Sequence, residues 1–230
     1  MPEVAMVAAL ERELWPLIRH WRVADREHGG KNFRFFESDG SVAICGGIGP
    51  EAARRATEAI IALYRPGWVL SVGFAGALAG SLRVGEVFEA RCVVDAKDGS
   101  KTDTGSGSGV LVSFSSVAGS EQKARLASAY GAQAVDMEAA AVAKGAEARG
   151  LRFAAIKVIS DEAGFPMTPM ERFVAGDGSF RSGKFAWYSA ARPWTWPTVF
   201  RLARNSALAA RSLCAKLELI RAGIVPARVG

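Results

Sequence analysis

Two patterns alternate along the chain. Short runs of β-branched and apolar residues, "SVAICGGIG", "WVLSVGFAG", "EVFEARCVVD" and "FAAIKVIS", read as strands. Between several of them stand stretches with helical spacing, "PEAARRATEAIIALY" and "MEAAAVAKGAEARG". Ahead of these, "VAMVAAL" reads as a first strand entering a helix. At 230 residues the chain suits one domain with a substantial core. The alternation predicts an α/β domain whose central sheet, parallel or mixed, is covered by helices on both faces. Ligands in such folds bind where strands end. That places Gly47–Gly49, Gly73–Gly76, Ser160, Asp161 and Glu13 near one rim.

Two segments depart from the alternation. "DAKDGSKTDTGSGSG", Asp95 to Gly109, is polar and glycine-rich, and is expected to be a mobile surface loop inside the domain. After Asp161 the pattern turns irregular, then a helix is signalled over 193–222. Along it Val199, Ala203, Ser206, Ala210, Leu213, Leu217 and Ile220 recur every three or four residues, with Arg201, Arg204, Arg211 and Lys216 elsewhere on its surface.

Charge sharpens the view of that helix. The net charge is +6, yet from Arg181 onward nine Lys and Arg face one acid, Glu218, so the preceding 180 residues sum to −2. The body is therefore no nucleic-acid surface. The tail is either a terminal helix packed on its own sheet with a solvated cationic face, or an attachment to an anionic membrane or acidic partner, with Trp194 and Trp196 at its start. No apolar run is long enough to span a membrane, and the N-terminus has no basic leader, so a soluble, cytoplasmic protein is expected. Three widely spaced cysteines, Cys45, Cys92 and Cys214, read as reduced, buried thiols rather than a disulfide framework. Only His20 and His28 are present, with no zinc-type ligand spacing, and no cofactor or metal is expected.

Candidate chemistry lies in a few short stretches. "GIGPEA", Gly47 to Ala52, fits G-x-G-x-x-A, but the strand that should end in a ribose-binding acid, "WVLSVG", carries none there. These glycines are better read as a tight turn that lets backbone approach a ligand. In "AVDMEAAAVA", Asp136 and Glu138 flank Met137 where a helix begins; capping explains Asp136, whereas Glu138 suits a carboxylate that accepts hydrogen bonds from a sugar diol. "VISDEAG" ends a strand on Ser160 and Asp161, which alone could simply turn the chain.

Taken in order, Glu13 after the first strand, "VGFAGALA", "VDMEAAA" and "VISDEAG" resemble the nucleoside phosphorylase/nucleosidase family. The closest branch hydrolyses 5′-methylthioadenosine and S-adenosylhomocysteine. The resemblance covers the chain to about Gly164. It implies a single three-layer α/β domain, 1–230, around a mixed, partly barrel-like sheet, and a homo-oligomer, commonly a dimer, acting on a small-molecule purine nucleoside. It assigns Asp161 as the acid that protonates purine N7 and Ser160 as its orienting neighbour. Glu13 becomes the carboxylate that positions water, and Met137 and Glu138 grip the ribose. Phe74, Ala75 and Gly76 form the turn beside the base, with Gly49 and Lys157 as further binding residues. Cleaving an N-glycosidic bond needs a protonated leaving base and a stabilised oxocarbenium-like sugar, and an acid paired with a carboxylate meets both needs.

Acid near Glu13 would repel phosphate, which favours hydrolysis. Lys157 stands where the nucleosidase pattern has arginine, and as a point charge could serve phosphate instead. Arg54 and Arg55 are better read as an exposed helical face. Phe74, where the nucleosidase turn has a small polar residue, and the basic tail keep open a relative of hopanoid-associated phosphorylases acting on an adenosylated lipid. A non-catalytic nucleoside-binding module is a third reading, against which both Asp161 and Glu138 are retained.

Overall fold

The computed structural model describes residues 2–166, 192 and 196–223. The first strand, β1 (Val4–Ala8), shows how the layers arise. It alternates Ala5 and Val7 toward one core with Met6 and Ala8 toward another, so it is apolar on both faces, as expected of a strand covered on both sides. It leads into α1 (Glu11–Ile18), then a hairpin of β2 (Arg22–His28) and β3 (Lys31–Ser38), and β4 (Ser41–Cys45). Next come α2 (Pro50–Tyr64), β5 (Trp68–Ala77), β6 (Val87–Ala90), β7 (Cys92–Asp95), β8 (Lys101–Asp103) and β9 (Val110–Ser113). The remainder is α3 (Ser120–Tyr130), β10 (Ala134–Asp136), α4 (Ala139–Glu147), β11 (Arg152–Asp161) and a terminal helix α5 (Trp196–Arg221).

The eleven strands form one mixed sheet in the order β2-β3-β4-β1-β5-β10-β9-β7-β8, with β11 paired to β5 and β6. Strand β5 is the hinge of this arrangement. Its first half pairs in parallel with β1, Trp68 to Gly76 in parallel with β11, and its last two residues antiparallel with β10. β1 and β10 thus take successive parts of β5 while β11 pairs along it, so the sheet branches at this strand. Helices α2 and α4 cover the core containing Val7 and Ile44, while α1 and α5 cover the core containing Met6 and Val72. The three-layer α/β architecture is thus as the sequence predicts.

Four expectations need correction. Asp95–Gly109 is not simply a loop, because β8 pairs antiparallel with β7 and the turn is stitched by Asp95, Asp98 and Lys144, whose Nζ reaches their carboxylates at 2.5 and 2.8 Å. Polar side chains satisfy this hairpin where an apolar core would otherwise be needed. "EVFEARCVVD" is two strands, β6 and β7, with Arg91 between them. Cys214 is buried, but Cys45 and Cys92 sit at strand ends and are only partly covered. The buried stripe of α5 begins at Ala209 and runs through Leu213 and Leu217; Ala203 is exposed, as are the larger Trp196, Phe200 and Leu208. The irregular stretch after Pro166 and Trp194 lie outside the described residues. Among the described residues no helix is long and apolar enough to cross a membrane.

Candidate active site

At the C-terminal ends of β1, β5, β10 and β11 lies a pocket of about 160 Å³. The sequence-predicted residues Glu13, Phe74, Ala75, Gly76, Met137, Glu138, Ser160 and Asp161 all line it. Residues 116–118, after β9, form a further wall.

Glu13 sits in the first turn of α1, almost fully buried, and its Oε2 lies 3.5 Å from the backbone N–H of Leu10. Burial pushes its carboxyl up to about 7, against the opposing pull of Lys157 and Arg12. Gly73 makes this placement sterically feasible. Its φ of +140° suits glycine, and a Cβ there would lie 2.8 Å from Glu13 Oε2.

Glu138 stands at the N-cap of α4. Its Oε1 accepts a 2.7 Å hydrogen bond from the backbone N–H of Gly49, and Met137 N–H lies 3.3 Å from Oε2. The glycine turn "GIG", with φ of +107° at Gly47 and +95° at Gly49, therefore serves to aim a backbone donor at Glu138. Gly49 is not itself in the pocket wall; it acts through that carboxylate. Burial, then the nearby charge of Asp136, raises Glu138 to about 7.

Beneath this carboxylate cluster lies Lys157, 1% exposed, with Nζ 2.9 Å from Asp136 Oδ2. Burial disfavours its ammonium, yet Asp136, Glu138 and Glu13 together hold its pKa above the usual value. Asp136 also accepts from the hydroxyl of Ser113 at 2.6 Å and from Ala139 N–H at 2.9 Å, so it caps α4 as expected while neutralising the lysine. Lys157 does not reach the pocket wall. Arg54 is at the surface, bound to Glu51 and Glu58, as its helical position suggested.

Asp161 closes β11 where the register against β5 shifts between Ile159 and Asp161, a bulge that re-aims the strand end. Ser160 donates its hydroxyl to Asp161 Oδ1 at 2.7 Å, the orienting contact the motif implied. The other oxygen, Oδ2, receives Lys123 Nζ, which also donates to the carbonyl of Glu162 at 2.9 Å. Lys123 was not foreseen. Its only sequence signal is a lysine three residues before Leu126 on the inner face of α3, where both are buried. Among the described residues no group of three or more His, Cys, Asp or Glu is arranged to hold a metal.

Comparison with known proteins adds a family to this geometry. A model of the phosphorylase superfamily matches residues 3–118 and 106–175. No curated protein sequence matches the chain. Among solved structures, the chain is similar to futalosine hydrolase of Helicobacter pylori, at 18% identity and TM-score 0.67, with 94% of this chain and 97% of that one covered. It is similar to the 5′-methylthioadenosine/S-adenosylhomocysteine nucleosidase of the same organism, at 18% and 0.66, over 95% and 98%. The corresponding nucleosidase of Colwellia psychrerythraea, in complex with adenine, aligns at 20% and 0.69, over 96% and 94%. At these identities the likeness is one of fold.

Proposed function

The chain belongs to the phosphorylase superfamily, and we propose that within it the protein cleaves the N-glycosidic bond of a 5′-substituted adenine nucleoside, using water as the nucleophile. The observation that carries this reading is one pocket lined both by Asp161 with its Ser160 and Lys123 partners and by two carboxylates raised to about 7. Asp161 serves the base, whose N7 must gain a proton as the bond to C1′ breaks. Glu138 and Met137 serve the ribose. Glu13, tuned near neutrality, takes the proton of the attacking water.

Hydrolysis is favoured over phosphorolysis by charge. Glu13, Asp136 and Glu138 crowd the pocket; of the cations on it, Lys123 is paired with Asp161 and Arg12 acts on Glu13, and Lys157, the alternative phosphate partner, is committed to Asp136. The hydrolase and nucleosidases of like fold agree with this choice. The reading takes the protein to be a single-domain, cytoplasmic homodimer.

Adenine release from methylthioadenosine, S-adenosylhomocysteine and adenosine, each with and without phosphate, tests the reading, with Asp161→Asn as the blank. Phosphate-independent release that the variant abolishes is expected. Strict phosphate dependence would reassign Glu13, and no release from any substrate would discard the reading. A second reading, action on an adenosylated lipid at a membrane surface, is favoured by one observation. The first half of α5 exposes Trp196, Phe200 and Leu208 beside the exposed Arg201 and Arg204. If the protein does not float with anionic vesicles, or floats equally well when Arg201 and Arg204 are both replaced by alanine, that second reading fails.

A further inference from the structure

Lys123 poses a problem for any mechanism in which Asp161 acts as an acid. Its ammonium lies against Asp161 Oδ2, both side chains are buried, and the pair is an ion pair at rest. Oδ1 of Asp161 faces the Ser160 hydroxyl and Oδ2 the Lys123 ammonium, so each of its oxygens already meets a hydrogen donor.

We propose that Lys123 is the proton source for the leaving base, acting through Asp161, in the N-glycosidic cleavage described above and resting on that reading. The pair holds one transferable proton. As the C1′–N9 bond breaks, its electron pair departs on the purine, which becomes a base about as strong as an amine. The proton then passes from Lys123 Nζ to Asp161 Oδ2 and from that oxygen to N7, so the purine leaves neutral. Water forms the new C1′–O bond and loses its proton to Glu13. Lys123 is left as a free amine and Glu13 as a neutral acid, and exchange with solvent restores both.

The structure is arranged for this relay. Gly76 leaves room for it, since a Cβ there would lie 3.0 Å from Asp161 Oδ2 and 3.2 Å from Lys123 Nζ. Ser160 holds the far oxygen of Asp161, and the Glu162 carbonyl takes a second ammonium hydrogen. Among the described residues Lys123 is the cation bonded to Asp161. Other charged groups on the pocket are Arg12 and Glu13 from α1 and Asp136 and Glu138 around the end of β10, with Lys157 from β11 beneath. On α3 itself Glu121 and Arg125 pair with each other at the surface, and Glu162 lines a separate groove with Arg83, Arg201 and Arg204.

The test is the pH profile of adenine release by the wild type, Lys123→Met and Lys123→Arg, with thermal melting to confirm folding. The wild type should gain activity as pH rises through about 7, where Glu13 loses its proton, and hold it on the alkaline side. Lys123→Met should lose about 100-fold in kcat at neutral pH and lose the alkaline plateau, with KM little changed. Lys123→Arg keeps the charge but never releases its proton, so it should show the same loss in kcat. It also keeps the test decisive if the methionine variant fails to fold. An arginine variant with wild-type kcat, or variants whose profiles keep the wild-type shape at any rate, would overturn the proposal while leaving the reading intact. A wild type that releases no base would overturn both.

Discussion

The pocket rests on two buried lysine–aspartate pairs, which differ in how far the pair as a whole meets the pocket. Lys157 and Asp136 are enclosed, with side chains 1% and 0% exposed, and the aspartate has its remaining valences taken by Ser113 and the N-terminus of α4. Lys123 and Asp161 are nearly as buried, at 3% and 7%, but both line the pocket, whereas of the first pair only Asp136 does. With its side chain fully buried and engaged by Lys157, Ser113 and Ala139, Asp136 holds its partner and biases the neighbouring carboxylates. Ions of the second pair can exchange a proton with something that enters. Burial makes both pairs costly to break, and access decides which of them does chemistry.

The comparison breaks most visibly at Lys157. Lys157→Met takes the buried counter-ion from Asp136, and should cost about 3–5 kcal/mol of stability, read as a lowered denaturation midpoint. Asp161→Asn takes the counter-ion from the buried Lys123 and should also lower the midpoint, by less because the asparagine oxygen can still accept from Nζ, while lowering kcat by about 10³-fold.

That contrast bears on what the sequence could tell. Asp161, Ser160, Glu13, Glu138 and the glycine turns were legible because each sits at the end of a strand or the start of a helix, where periodicity stops and a polar residue is conspicuous. Both lysines were harder. Lys157 lies inside an apolar strand and was noticed by motif, but its partner is set by the alignment of β10 against β9 and β5, which no local pattern encodes. Lys123 lies on α3, a helix of weak amphipathicity whose inner face holds that lysine beside Leu126. The hairpin at β8 was missed because its stability comes from the Asp95, Asp98 and Lys144 contacts, which join residues more than 40 positions apart.

The carboxylates above the enclosed pair sharpen the contrast through pH. Glu13 and Glu138 are each raised from 4.5 to about 7, so the folded protein holds their protons more tightly than the unfolded chain does. Their contribution to stability is full below about 4.5 and is lost as pH rises through 7, by about 3 kcal/mol for one such group. In Glu138→Gln, urea midpoints across that range should fall less steeply than in the wild type. A smaller effect is expected at Gly73→Ala, where φ of +140° and contact with Glu13 should cost about 1–3 kcal/mol in stability and lower kcat with little change in KM.

The central claim, that this pocket hydrolyses an N-glycosidic bond, is tested most directly by running the reaction in ¹⁸O-labelled water with phosphate present and weighing the sugar product. The account predicts free sugar carrying one ¹⁸O at C1′, formed by the wild type and not by Asp161→Asn. Sugar 1-phosphate without label, or intact nucleoside after prolonged incubation, would contradict it.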